Sequence, residues 1–174
     1  SIDSQASDNM LKTSVSLNDN EQHPLHGTIK ASTKFFYDGH GVPTAGIYIE
    51  DSEISLGNTV WHVMPSNIKY NKNGIAVNKF SIRHDNQFIS IDGKELRDNS
   101  SDSLFVNLND VDISYILNIV NFHSVEFSGL ASGQAFLSGL LDGDIRASAS
   151  LSVKDFKFEN GRMGTLYANV DLDN

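Results

Sequence analysis

From Asn58 to Gly93 apolar and polar positions alternate with a period of two. Trp61 and Val63 share one parity, as do Ile68 and Tyr70, Ile75 and Val77, Phe80 and Ile82, and Ile89 and Ile91. Such alternation places each pair on one face of a sheet. The stretch therefore predicts four or five short strands. Turns are expected at Pro65-Ser66-Asn67, Asn71-Lys72-Asn73-Gly74 and Asp85-Asn86, whose residues tolerate the backbone angles a reversal needs.

The rest of the chain follows the same scheme. Residues 1–10 are polar and are expected to be disordered. Leu11, Val15 and Leu17 open a first strand, and Leu25 to Phe36 a second. A loop is expected over Asp38 to Pro43, and a bend near Asp51-Ser52, where apolar parity switches. Lys94 to Asp102 reads as a polar loop, followed by a strand through Leu104, Val106 and Leu108 that ends at Asn109-Asp110. Ile113, Ile116, Leu117 and Val120 fall at helical spacing, predicting one short helix near 112–120, a plug or lid over the sheet. Strands return from Phe122, with Ala131, Gly133, Ala135 and Leu137 on one side and a hairpin at Glu159 to Arg162. The expected fold class is all-β. A long antiparallel meander buries its apolar face by curling over itself, and residues 1–174 form a single unit.

Composition narrows the function. The 174 residues are 39% hydrophobic and 20% charged, which is a globular rather than a disordered balance. With 22 acidic and 13 basic residues the net charge is -9, which argues against nucleic acid and against docking on an anionic membrane through a basic patch. The chain has no cysteine, so disulfides, thiolate metal sites and cysteine nucleophiles are excluded. No apolar run approaches a membrane span. The beginning at Ser1-Ile2-Asp3 and the ending on Asp173-Asn174 directly after a strand-like run read as a slice of a longer chain.

No motif carries chemistry. His23, His26 and His40 lack the helical context of a metal-binding pair, and His84-Asp85 has no nucleophile elbow to complete a triad. The acidic clusters Asp110-x-Asp112 and Asp142-Gly143-Asp144 complete no calcium loop. Gly39-x-Gly41 is no nucleotide fingerprint. The expectation is a protein that is not an enzyme and needs no cofactor or metal.

Three blocks of sequence carry a resemblance. The first runs from Gly57 to Ser66 (GNTVWHVMPS) with Ile68. The second is Ile75-x-Val77-x-x-Phe80-x-Ile82-x-His84-x-x-Gln87-x-Ile89-x-Ile91-x-Gly93. The third runs from Leu108 through Asp110-Val111-Asp112-Ile113-Ser114-Tyr115-Ile116 to Phe127, Gly129 and Gly133. Together they resemble the TamB (translocation and assembly module) family in its Bacteroidetes form, within the AsmA-like, bridge-like lipid transfer superfamily. The resemblance implies a β-taco, a long sheet curled into a trough with an apolar interior. It also implies an internal periplasmic segment of an inner-membrane-anchored protein that bridges inner and outer membranes for phospholipid transport and outer membrane biogenesis. The implied groove candidates are Trp61, Val63, Ile68, Tyr70, Ile75, Val77, Phe80, Ile82, Ile89 and Ile91. The implied partners are phospholipid acyl chains and, through parts of the full protein outside this chain, an outer-membrane barrel assembly protein. Two other readings stand beside it: a scaffold pairing outer-membrane strands by its edges, which also implies some self-association, and an extracellular glycan-binding module. The last requires an exposed aromatic platform, whereas most aromatics share parity with the aliphatic residues.

Overall fold

Thirteen strands form one antiparallel sheet. They are β1 (Ile2–Ser7), β2 (Met10–Asn18), β3 (Leu25–Tyr37), β4 (Pro43–Ile49), β5 (Ser52–Leu56), β6 (Thr59–Met64), β7 (Ser66–Asn71), β8 (Gly74–His84), β9 (Gln87–Leu96), β10 (Asn99–Asp112), β11 (Phe127–Ser138), β12 (Arg146–Phe158) and β13 (Gly161–Leu172). The computed structural model describes residues 1–18, 25–56, 59–97, 99–115, 126–141, 143–159 and 161–172. The topology is an up-and-down meander. β4 and β5 act as one interrupted strand along β3, and β6 and β7 as another along β8. Every pair of strands in substantial contact is a hydrogen-bonded neighbour, so the sheet is a single curled layer.

The curl has an identifiable cause. Along a flat strand the inner-facing residues recur at every second position. Here they skip one extra position between Ile49 and Ser52, Val63 and Ser66, Val77 and Phe80, Leu108 and Val111, and Val153 and Phe156. Three of these skips contain a residue with a left-handed backbone: Lys79 (φ 54), Asp110 (φ 48) and Asp155 (φ 51). Each is a bulge, which bends the strand and increases its twist. Side chains on the next strand satisfy the amides the bulges free. Lys79 N–H donates to Asp92 Oδ1 (3.2 Å) and Asp110 N–H to Ser132 Oγ (2.9 Å).

A lysine pays the full steric cost of that backbone, whereas aspartate tolerates it better. Replacing the exposed Lys79 with glycine is therefore expected to raise stability by about 0.5–1 kcal/mol, read from the urea midpoint. A loss instead would show that the Lys79 side chain supports the bend.

Surface area reports the openness of the layer. The chain exposes 11212 Å². A compact monomer of its 19.1 kDa mass would expose about 8,400 Å². Few side chains are fully enclosed: Trp61, Val63 and Val111 are the largest.

Several sequence expectations change. The polar start forms β1, whose six residues pair with Met10 to Val15, because backbone pairing does not require apolar side chains. Lys94 to Asp102 is not a loop. β9 continues to Leu96 and β10 begins at Asn99. β10 passes through Asn109-Asp110 as a bulge instead of ending there. Pro65 does not reverse the chain but interrupts a strand that continues as β7. Of the four or five strands expected between Asn58 and Gly93 the structure has four, β6 to β9, with Ile75 to Ile82 in one strand. Of the helix expected near 112–120, residues 113–115 are helical, and Ile116, Leu117 and Val120 lie outside the described residues.

Candidate functional site

The register stacks apolar residues into rungs that cross the inner face from strand to strand. One rung runs Val63, Ile82, Ile89, Leu108, Gly133, Leu151 and Ala168. The next runs Phe80, Ile91, Val106, Ala135, Ala149 and Val170. A third runs Ile47, Ile68, Val77, Gly93, Leu104, Leu137 and Ala147. Gly133 (φ 150) is required in the first rung, since a Cβ there would overlap the Ser150 carbonyl oxygen.

The ten candidate residues all face this side. Trp61, Val63 and Val77 are buried, and Ile68, Ile75, Phe80, Ile82, Ile89 and Ile91 are half-buried. Tyr70 is 44% exposed at one margin of the face. The register also adds Leu104, Val106, Leu108, Ala135, Ala149, Leu151 and Val170, which the sequence reading did not include. Their alternation was visible, but no single-sequence signal assigns facing across strands this far apart.

One region of the inner face is closed. Trp61 sits among Ile49, Ile54, Val63 and Val111 with no exposed surface. The helical turn that follows β10 places Tyr115 edge-on to the indole, ring centroids 5.8 Å apart. The Tyr115 hydroxyl and Thr59 Oγ1 are hydrogen-bonded at 2.9 Å. Asp112 Oδ1 accepts the Ser114 N–H at 2.9 Å and holds the start of the turn. Among the described residues the indole N–H itself has no hydrogen-bond partner.

The opposite face carries its own aromatics, contrary to the expected parity. Phe88, Phe105 and Phe136 point outward, opposite in phase to Ile89, Val106 and Ala135. Phe105 and Phe136 meet edge-on at 5.0 Å, and Arg83 lies over Phe88 at 5.8 Å. The Phe105 ring covers the bare backbone of Gly93. A shallow depression of about 570 Å³ there is lined by Ala76, Asp92, Lys94, Phe105, Asn107 and Gln134.

The polar clusters are structural. His84 Nδ1 meets the Val60 carbonyl at 2.8 Å and Nε2 faces Asp85 at 3.4 Å, so neither nitrogen addresses a serine. Asp38 Oδ1 accepts N–H bonds from Val42 and His40, and the Val42 bond foremost holds its carboxyl below the usual aspartate value. His23 lies outside the described residues, and no metal-holding cluster occurs among the described ones.

These features define a class: an all-β protein made of one open antiparallel sheet curled about an apolar inner face. No family model, characterised protein or solved structure matches the chain.

Proposed function

We propose that this chain is a non-enzymatic segment of a periplasmic envelope-biogenesis protein of the TamB type, whose apolar trough carries phospholipid between the inner and outer membranes. The observation that carries the reading is the set of unbroken apolar rungs on a single-layered sheet. A sandwich would cover such a face with a second sheet. Here Val170 keeps 51% of its surface exposed. Acyl chains cross an aqueous gap only when their surface stays out of water, at about 25 cal/mol per Å². A trough of this kind supplies that without any reaction. The outer face, with residues such as Ser90, Asn107 and Gln134, keeps the segment in solution. On this reading the full protein is anchored in the inner membrane and meets an outer-membrane barrel assembly protein through other regions.

Site-specific photocrosslinking in cells making the full-length protein tests it. A probe at Ile82 faces the trough, and a probe at Arg83, beside Phe88, faces out. Phospholipid adducts are expected at Ile82 and not at Arg83. A folded protein with no lipid at either position would sink the conduit for this segment.

A second reading, a scaffold for outer-membrane strands, draws on β1 and β13. They end the sheet with unpaired edges, and β13 exposes Leu166 and Val170 on the inner side. The glycan reading draws on the outward Phe105–Phe136 pair beside Asn107 and Gln134. Neither accounts for the inner rungs.

A further inference from the structure

The outer face of β9 to β13 carries a pattern of its own. Asp92, Phe105, Phe136 and Ser148 stand directly opposite one another on successive strands. The adjacent row is Ser90, Asn107, Gln134, Ser150 and Asn169, each a neutral hydroxyl or amide. Phe105 is 45% exposed and Phe136 40%. Cover for the Gly93 backbone accounts for the Phe105 ring alone, since Phe136 stands against no glycine. Two adjoining rings left open on a face that otherwise meets water with polar side chains point to a contact surface. The depression beside them is bordered by Phe105, Asn107, Gln134, Asp92 and Lys94. Among the described residues the amides of Asn107 and Gln134 have no hydrogen-bond partner, so each offers donors and an acceptor outward.

We propose that this shelf binds a neutral, extended glycan, a chain of β-1,4-linked pyranoses. The site lies on the outer face and does not rest on the conduit reading. Four observations select this ligand class. An aromatic face attracts the weakly positive C–H groups that one side of a pyranose presents, and Phe105 keeps nearly half its surface open for them. Side-chain amides donate and accept at once, as the hydroxyls of a sugar do. One acid, Asp92, and one base, Lys94, flank the depression, so no net charge there selects an ionic ligand. β9, β10 and β11 are each paired on both sides, so a peptide adding itself as a strand finds no free backbone here. The spacing fits as well. Neighbouring strands lie about 4.8 Å apart, close to one pyranose of an extended β-1,4 chain. Successive sugars crossing the strands therefore meet successive polar side chains of the row that holds Asn107 and Gln134.

The test compares two uncharged hexasaccharides of glucose, extended β-linked cellohexaose and its coiled α-linked isomer maltohexaose. Each is titrated into the 174-residue chain, and backbone amide shifts are followed by nuclear magnetic resonance. Cellohexaose is expected to bind more tightly by about fivefold, with shifts centred on Phe105, Asn107 and Gln134. Phe105→Leu keeps an apolar cover on Gly93 but removes the ring face, and is expected to weaken binding by about five- to tenfold. Gln134→Ala alters an exposed side chain and is expected to weaken it by about three- to tenfold, the loss of one hydrogen bond. Ile89→Lys, on the inner face, is expected to leave the affinity unchanged, so failure of the conduit and failure of this site are read separately. No saturable shift with cellohexaose, a preference for maltohexaose, or unchanged affinity in either outer-face variant overturns the site. A proline-rich peptide that shifts the same residues where cellohexaose does not overturns the glycan assignment in favour of a protein partner.

Discussion

Replacing Trp61 with alanine is expected to destabilise the chain by about 3–5 kcal/mol, the range for removing a fully buried large aromatic side chain. The expectation follows from how little of this molecule is fully enclosed. Most inner-face residues keep part of their surface exposed, whereas Trp61 has none. Its ring is packed by Ile49, Ile54, Val63 and Val111, and it stands 5.8 Å from both the Tyr115 and the His84 rings. Truncation removes that contact area and withdraws the surface on which Tyr115 rests, so the turn at 113–115 is expected to lose its docking as well. Trp61→Phe separates packing from polarity. The indole N–H is buried without a partner among the described residues, and its removal recovers about 1–3 kcal/mol of desolvation cost. That gain offsets much of the volume lost, so the phenylalanine variant is expected to fall within about 1.5 kcal/mol of the wild type. Urea unfolding followed by far-ultraviolet circular dichroism measures both. If Trp61→Ala costs less than about 1 kcal/mol, the cluster around Trp61 does not hold the sheet together.

The same residues show what the sequence could and could not disclose. The shared parity of Trp61 and Val63 and of Ile89 and Ile91 was enough to predict strands and a shared face, because the inner positions of β6, β8 and β9 are mostly apolar. The bend near Asp51-Ser52 was recognised from its parity switch, but the bulges inside β8, β10 and β12 were not, although they left a trace. Val77 and Phe80, Leu108 and Val111, and Val153 and Phe156 are apolar pairs three apart, where a flat strand would space them by two. That spacing left the number of strands between Asn58 and Gly93 open at four or five and ended the expected β10 too early. Read as a bulge, it gives the bend in each strand. The polar segments were misjudged for a different reason. In β1 and in the Lys94 to Asp102 region the pairing is made by backbone groups, and the mostly polar sequence carries no alternating apolar signal. Glu95 was hidden in the segment read as a loop. It is buried and accepts the N–H of Leu141, 46 residues away, and no local pattern encodes such a contact. The outward parity of Phe105 and Phe136 was readable from their neighbours Val106 and Ala135 but was obscured by treating aromatic and aliphatic residues alike.

On the proposed conduit reading, Ile89→Lys is expected to abolish most phospholipid carriage while leaving the sheet folded. Ile89 stands mid-rung, between Ile82 and Leu108, and is half-buried. A lysine there can run its methylene stem along the neighbouring side chains and send its ammonium to water, so a moderate loss of about 1–2 kcal/mol in stability is expected rather than unfolding. Its effect on a bound chain is far larger. A charged head in the rung retains water, and an acyl chain lying across it loses the dry contact on both sides at about 0.8 kcal/mol per methylene. Uncovering only two methylenes lowers occupancy by roughly tenfold, so phospholipid recovered with the purified protein is expected to fall at least that far. Ser90→Lys is the matched control. Ser90 is the next residue on the same strand, opposite Ser81 and Asn107 on the outer face. It adds the same charge to the same strand without touching the rungs, and recovered lipid is expected to stay within twofold of the wild type, about 0.4 kcal/mol. The pair also discriminates between the two main readings of the molecule. Strand capture at the edges of β1 and β13 depends on unpaired backbone groups many ångströms from Ile89 and would survive both substitutions. Equal lipid recovery from the two lysine variants, each shown to be folded, would therefore remove the inner face from the transport path and leave the exposed edges as the working surface of the protein.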